Sequence, residues 1–397
     1  MQSDRRLKVL FLTRWYPNRV DKLDGNFIEN HARAVSLYCD LAVLFVGADP
    51  HMSHRTWDVS AGYEYGYYVV RVWYRNNDVP RKGIGRVIKF FRYVYATWIG
   101  WRLIRARWGF PDVCHVHIFT RPSLLALWLR LWRGTPFLLT EHSSHFVHEL
   151  PEWLPPKKQF AKFVARQAFC ITVVSRSLHR AISDFGLTGR YEIVPNVVFI
   201  PELHEMVRCY PPRIVAIAGF NDDRKNIRGL IDVFAQVAKR IAPAQLHILC
   251  PISDPRLYER AKATGLLNQR IFLHGPMPND EVYRLLGSSA FLVVNSSSET
   301  FSMAAAEALA CGIPVISTRC GGPEEFLDGS RGLLIDLHAP QQLAEALIYM
   351  FEHYHQYDRE ALQRFVREHF SALVVGRRIY SLYLKAMKSA NAKDHDP

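Results

Sequence analysis

Short β-branched runs alternate with stretches of helical periodicity along almost the whole chain, and this leaves few folds open. The first series of runs is Lys8–Thr13, Leu41–Val46, Tyr67–Val72, Val113–His117, Phe137–Thr140 and Ile171–Val174. A second series follows at Ile214–Ala218, Leu246–Cys250, Ile271–His274, Phe291–Asn295 and Pro314–Ser317. Short apolar runs bounded by turn residues read as buried strands. Strands that alternate with helices build parallel sheets with helices on both faces. Two series predict an α/β chain of two Rossmann-like, doubly wound domains.

The length of 397 residues suits two cores rather than one. Residues 1–200 are assigned to the first domain. Residues 201–212 form the linker, because Pro201, Pro211 and Pro212 punctuate that stretch. Residues 213–372 form the second domain. Within 373–388, Val374 to Met387 carry apolar residues at helical spacing and are expected to form a last helix packing back across the domains. The polar tail Ser389–Pro397 is expected to be disordered.

No segment reaches the roughly 18 apolar residues that span a bilayer; the best candidate, Leu124 to Leu139, is broken by Arg130 and Arg133. The start, Met1 to Lys8, lacks the apolar core of a signal peptide. Seven scattered cysteines show no zinc or redox spacing. These features point to the cytoplasm. Charge is unevenly placed: residues 1–200 hold 28 Lys and Arg against 15 Asp and Glu, and residues 201–397 hold 22 of each. The whole excess therefore lies in the first half, which suggests an acidic partner there.

Two loops of the second series carry candidate chemistry. After Ile214–Ala218 come Gly219 and a polar loop with Arg224 and Lys225, and Asn226 is a plausible N-cap for the stripe Ile227 to Ala238. Cations at a strand end and helix start suit a phosphate, although a solvated basic loop reads the same way. The second segment runs from Val293 to Gly322. A strand end leads through serines to Glu299, and an alanine-rich helix starts near Phe301 or Ser302 and carries Glu307. Glu299 suits sugar hydroxyls and Glu307 a ribose diol, but a helix cap and a solvated carboxylate are equally open readings.

The two glutamates with seven residues between them, followed by Ala-Leu-Ala-Cys-Gly-Ile-Pro-Val and Gly-Gly-Pro-Glu-Glu, resemble the signature of family 4 retaining glycosyltransferases. Tyr16-Pro17, Gly25-Asn26-Phe27, Asp112 to His117, Thr140-Glu141-His142 and Val194-Pro195-Asn196 resemble further motifs of that family in the same order. The resemblance implies the GT-B fold, two Rossmann-like domains facing across a cleft. It also implies a retaining transfer from a nucleotide-diphosphate sugar, such as a UDP- or GDP-sugar. No aspartate pair stands at a strand end as a metal-holding D-x-D, Asp222 and Asp223 being adjacent, so no metal and no other cofactor is expected. By that resemblance Glu307 holds the donor ribose, Glu299 meets the donor sugar near the reacting carbon, and Lys225, helped by Arg224, binds the diphosphate. Phe301, Ser302 and Met303 face the sugar or phosphate, Met277 sits beside the base, Gly25 lets the first loop approach the diphosphate, and His142 lies across the cleft. The chain departs from the family pattern at Phe220, at Ser302, where glycine is usual, and at Val197. His115 and His117 are expected to face opposite sides of their strand, so that only one meets the cleft.

The acceptor is expected to be a saccharide or lipid-linked saccharide of cell-surface polysaccharide or glycolipid synthesis. The stretch Arg81 to Phe110 interleaves basic and aromatic residues, as does Trp153 to Arg166. Such helices suit an anionic membrane surface, which would make the protein peripheral on the inner membrane, or else a core helix with a solvated basic face. Another GT-B enzyme, a phosphorylase or nucleotide-sugar epimerase, is the alternative. A nucleic-acid-binding protein is less favoured, since no nucleic-acid module is present and the paired glutamates would have no role.

Overall fold

A computed structural model describes residues 5–80, 82–119, 121–148, 153–202, 207–218, 222–250 and 254–393. The first half runs β1 (Lys8–Thr13), α1 (Asn26–Ser36), β2 (Asp40–Asp49), β3 (Trp57–Glu64), β4 (Tyr67–Arg75), α2 (Ile84–Arg107), β5 (Val113–His117), α3 (Ser123–Arg133) and β6 (Phe137–Glu141). It continues with α4 (His145–His148), α5 (Pro155–Gln167), β7 (Cys170–Val173), α6 (Arg176–Asp184) and β8 (Tyr191–Ile193). The second half runs β9 (Arg213–Ile217), α7 (Asp222–Lys225), α8 (Ile227–Val237), β10 (Gln245–Leu249), α9 (Pro255–Ala263), β11 (Ile271–His274), α10 (Asn279–Gly287) and β12 (Phe291–Val294). Then come α11 (Met303–Ala310), β13 (Val315–Thr318), β14 (Gly332–Ile335), α12 (Pro340–His353), α13 (Arg359–Phe370) and α14 (Ala372–Lys393).

The strands form two sheets, ordered β3-β4-β2-β1-β5-β6-β7-β8 and β11-β10-β9-β12-β13-β14. Every pairing is parallel except β3 with β4. The central strands are apolar on both faces because helices cover both. Three strands escaped the sequence reading. Strand β3 is largely exposed, so it lacks a continuous apolar run, and β8 and β14 are only three and four residues long.

The last helix crosses back, packing on α1 and reaching β5 and β6 of the first sheet. Val375, Ile379, Leu382, Tyr383 and Ala386 bury their side chains there. Close approach depends on Gly376, where a Cβ would lie 2.4 Å from the carbonyl oxygen of Ala34 on α1. The helix extends to Lys393, so residues 389–393 are ordered, contrary to expectation, and 394–397 lie outside the described residues. The halves also meet through backbone and side chain: Val198 donates to the Phe370 carbonyl at 2.9 Å, and Gln363 Nε2 donates to the Pro201 carbonyl at 2.7 Å.

Replacing Gly376 by leucine is expected to push α14 off α1 and destabilise the protein by about 1–3 kcal/mol. Thermal unfolding against Gly329→Ala, at a position with open space around it, measures this. Equal melting temperatures would show that the contact contributes nothing.

Candidate active site

Parallel strands end on the same side of their sheet, and the candidate residues stand on those ends. Neighbouring strands β9, β12 and β13 bring three loops together. The loops are stitched by backbone bonds: Ser297 N–H to the Arg224 carbonyl at 2.8 Å, Glu299 N–H to the Cys320 carbonyl at 2.7 Å, and Gly322 N–H to the Glu299 carbonyl at 2.9 Å. Asn295 Nδ2 adds a bond to the Asn226 carbonyl at 3.0 Å. Lys225 and Glu299, 74 positions apart, thereby meet at 2.6 Å from Nζ to Oε1, and the Ser296 hydroxyl donates to the same oxygen at 2.7 Å. Their side chains are only 18% and 9% exposed, so this is not a solvent-screened surface pair.

Two local expectations need correction. Arg224 and Lys225 end the one-turn helix α7 rather than opening α8, and Asn226 makes no side-chain cap, since it takes a left-handed conformation at φ 47°. Ser302 precedes α11 at φ 68°. That conformation explains why glycine suits the position: a Cβ is strained there. Gly219 and Phe220 lie outside the described residues.

A cleft of about 440 Å³ lies between the two sheets' strand ends. It is lined by Lys225, Arg224, Glu299, Phe301, Ser302, Met303, Glu307 and Met277 from the second half and by His142 from the first. Gly25 is not among its walls, although Asn26 and Phe27 are. Its absent side chain serves a tight turn instead: at φ 64° a Cβ would sit 2.4 Å from the Trp15 carbonyl carbon. Tyr283 on α10 was missed by the sequence reading. It hydrogen-bonds Glu307, and burial, then the Glu307 charge, pushes its phenol far up. An aromatic on an amphipathic helix carries no sign of such a role. Asn196 also lines the cleft; it stood in a recognised motif but had been given no task.

Opposite stands a stack of buried histidines. Positions two apart share a strand face, so the expectation for His115 and His117 fails: their rings stack at 4.4 Å. His117 Nδ1 lies 3.2 Å from His142 Nε2. His115 joins the Tyr383 hydroxyl at 2.7 Å and the Thr140 hydroxyl at 2.5 Å. Burial holds His115, His117 and His142 well below the usual histidine range and His31 at about 4, so the stack is neutral. His142 and Asn196 stand together on the cleft wall, where a hydrogen bond from the Asn196 side chain opposes the effect of burial on the His142 ring. Beneath them Glu141 accepts from three backbone N–H groups, of Phe119, His142 and Ser143. His31, His117 and His142 each bring a ring nitrogen within 4.8 Å of the others. A tetrahedral zinc site has edges of about 3.3 Å, so an ion would require the rings to draw together.

Glu307 is raised to about 7, chiefly by burial. Its folded form thus holds a proton more tightly than the unfolded chain, and its contribution to stability falls as pH rises from about 4.5 to about 7. Glu307→Gln should gain melting temperature relative to wild type across that window. A pH-independent difference would show that burial does not hold the proton.

Comparison with known proteins agrees with this geometry. Residues 36–197 match the glycosyl transferase 4-like domain, and residues 211–353 match glycosyl transferases group 1. A D-inositol 3-phosphate glycosyltransferase of Corynebacterium efficiens is 30% identical over 142 residues, 34% of each chain. An uncharacterised glycosyltransferase of Methanocaldococcus jannaschii is 40% identical over 100 residues, 24% of this chain and 28% of the other. The matched stretches thus span about a third of these relatives' length. Among solved structures, a sucrose-phosphate synthase of Thermosynechococcus elongatus superposes with TM-score 0.71 at 18% identity over 97% of this chain and 100% of that one. Anabaena HepE in complex with UDP and glucose superposes with TM-score 0.66 at 14% identity over 94% and 98%. Two family matches, one on each sheet, and a shared GT-B architecture show that the chain belongs to the GT-B glycosyltransferases, 4-like in its first half and group 1 in its second.

Proposed function

We propose that this glycosyltransferase is a retaining enzyme that moves a sugar from a nucleotide-diphosphate sugar to a saccharide or lipid-linked saccharide, without a metal ion, in cell-surface polysaccharide or glycolipid synthesis. The carrying observation is the buried Lys225–Glu299 pair, set in one cleft with Glu307 and His142. Glu307 would accept from both ribose hydroxyls once ionised. Lys225 and Arg224 would stabilise charge growing on the leaving diphosphate, the largest electrostatic task in such a transfer. Glu299 pairs with Lys225, so a bound diphosphate would compete for the ammonium and release Glu299 to the sugar hydroxyls. His142, on the facing wall of the cleft, would meet the same sugar from the other side. In a retaining transfer on one face of the sugar, the departing phosphate oxygen takes the incoming hydroxyl's proton, so the protein needs to hold no separate base.

The first half is proposed to rest on an anionic membrane surface. Helix α2 buries Tyr93, Ala96, Trp101 and Ile104 but exposes Ile84, Val87, Phe91 and Trp98. Leu131 and Trp132 of α3 are also exposed, and neither helix carries an acidic residue. Arg92 is ion-paired with Asp78, but aromatic residues interleaved with cations such as Arg86, Lys89 and Arg102 match an anionic interface. Arg81 lies outside the described residues. Among the described residues no helix is long and apolar enough to cross a membrane.

A thermal-shift screen of nucleoside diphosphates and their sugars should give one strong stabiliser. Glu307→Ala should weaken its binding at least about tenfold, and Lys225→Ala should lower turnover about 10²-fold or more, with transfer persisting in EDTA. Unchanged donor affinity in Glu307→Ala would refute the site, and activity restored only by manganese would refute the metal-free mechanism. Separately, the protein should cosediment with anionic liposomes at low salt and lose this when Phe91, Trp98 and Trp132 become serine. Wild-type protein left in the supernatant would refute membrane docking.

A further inference from the structure

The loop that follows β13 holds Glu299 on one side and touches the other half of the molecule on the other. Glu299 N–H donates to the Cys320 carbonyl at 2.7 Å, and Gly322 N–H donates to the Glu299 carbonyl at 2.9 Å. Gly322 packs so closely that a Cβ there would stand 2.5 Å from the Phe301 Cα. Residues 320–322 and the Glu299 backbone are therefore one piece. Glu324 closes the loop on itself, accepting from the Gly321 N–H at 2.8 Å.

Glu325, the next residue, reaches the first half. Its Oε1 accepts from the N–H groups of Arg176 at 2.5 Å and Ser177 at 3.1 Å, the first two residues of α6. The first turn of a helix leaves N–H groups without partners inside the helix, and a carboxylate there also meets the positive end of the helix dipole. In α6 the Ser175 hydroxyl takes the Leu178 N–H at 3.1 Å, and the helix has no acidic residue in its own first turn. The second half thus supplies the carboxylate that α6 lacks. The backbones approach as well, since a Cβ on Gly321 would sit 2.7 Å from Ser177 Oγ. Around this contact the halves stand apart: α6 and the loop both line a cavity of about 890 Å³. The bond is exposed, so it can open without unpacking a core. On the first-half side α6 follows β7, and β7 pairs with β6, whose end leads directly into His142.

We infer that Glu325 is a positioning residue for sugar transfer: by capping α6 it sets the Glu299 loop of the second half against the His142 wall of the first. The role in transfer rests on the transferase reading; the bond between the halves does not.

The test uses four variants of the full chain. Glu325→Ala removes the carboxylate, and Glu325→Gln keeps its length and an acceptor oxygen. Arg176→Pro removes the N–H that makes the shorter bond. Proline suits the first position of a helix, and Ser175 before it is already extended at φ −158° and ψ 162°. Arg176→Ala removes the same side chain but keeps the N–H, and is the control. In small-angle scattering, which needs no substrate, Glu325→Ala and Arg176→Pro should show a larger radius of gyration than wild type, and Arg176→Ala should not. With a panel of UDP-, GDP- and ADP-sugars, the same two variants should lose about tenfold in kcat for nucleoside diphosphate release, with KM changed by less than about twofold. Glu325→Gln should recover most of the loss. Equal radii in all the proteins, Arg176→Ala behaving as Arg176→Pro does, or turnover unchanged in Glu325→Ala would overturn the inference. Wild-type protein inert towards every sugar of the panel, with the scattering difference intact, would count against the donor reading alone.

Discussion

Parallel pairing is the constraint from which the rest of the molecule follows. A parallel strand must be followed by a crossover before the next one starts, so each strand ends on the same edge and hands its loop to the same space. The order β9-β12-β13 then makes neighbours of loops that are far apart in sequence, and the backbone bonds from Ser297, Glu299 and Gly322 lock them. In the first sheet β6 and β7 deliver His142 and the start of α6 to the facing edge. The candidate chemistry occupies these edges because the helices cover both faces of each sheet and leave nowhere else for polar groups to converge.

The line of histidines through the interior of the first half is built without charge. Tyr383, His115, Thr140 and Thr172 form a buried hydrogen-bonded line, and His117, His142 and His31 extend it by ring contacts towards the cleft. Burial disfavours the imidazolium form, so these rings bond as neutral donors and acceptors at little desolvation cost. The line begins on α14, which follows the second sheet in sequence yet packs on the first. The cleft wall at His142 is therefore supported by the last helix of the chain. The second half uses the opposite device, a buried ion pair whose partners would be strongly destabilised alone.

Much of the fold could be read directly. Strands β1, β5 and β11 have the predicted bounds because each is a short, mainly apolar run bounded by polar residues, glycine or proline. Strand β3 could not be read, because its exposed residues pair only with β4 and show no buried pattern. In the cleft, Lys225 and Glu299 were visible as charges near helix starts and Glu307 as a carboxylate within an alanine-rich helix, whereas Tyr283 looked like any core aromatic until α10 was placed against α11. The glycine requirement at position 25 arises from the Trp15 backbone, ten residues back and invisible to a local reading.

Sequence by itself determined the class of fold, the division into two halves, the last helix and the chemical types offered by each loop. These depend on local periodicity and on residue identity, which a single strand or helix expresses alone. Tertiary structure decided which charges neutralise each other, which histidines stack, and that Arg176 and Glu325, 149 positions apart, meet across the two halves. Electrostatic and hydrogen-bond energies fall steeply with distance and rise with burial. Neither distance nor burial exists until the strands have taken their order in the sheet.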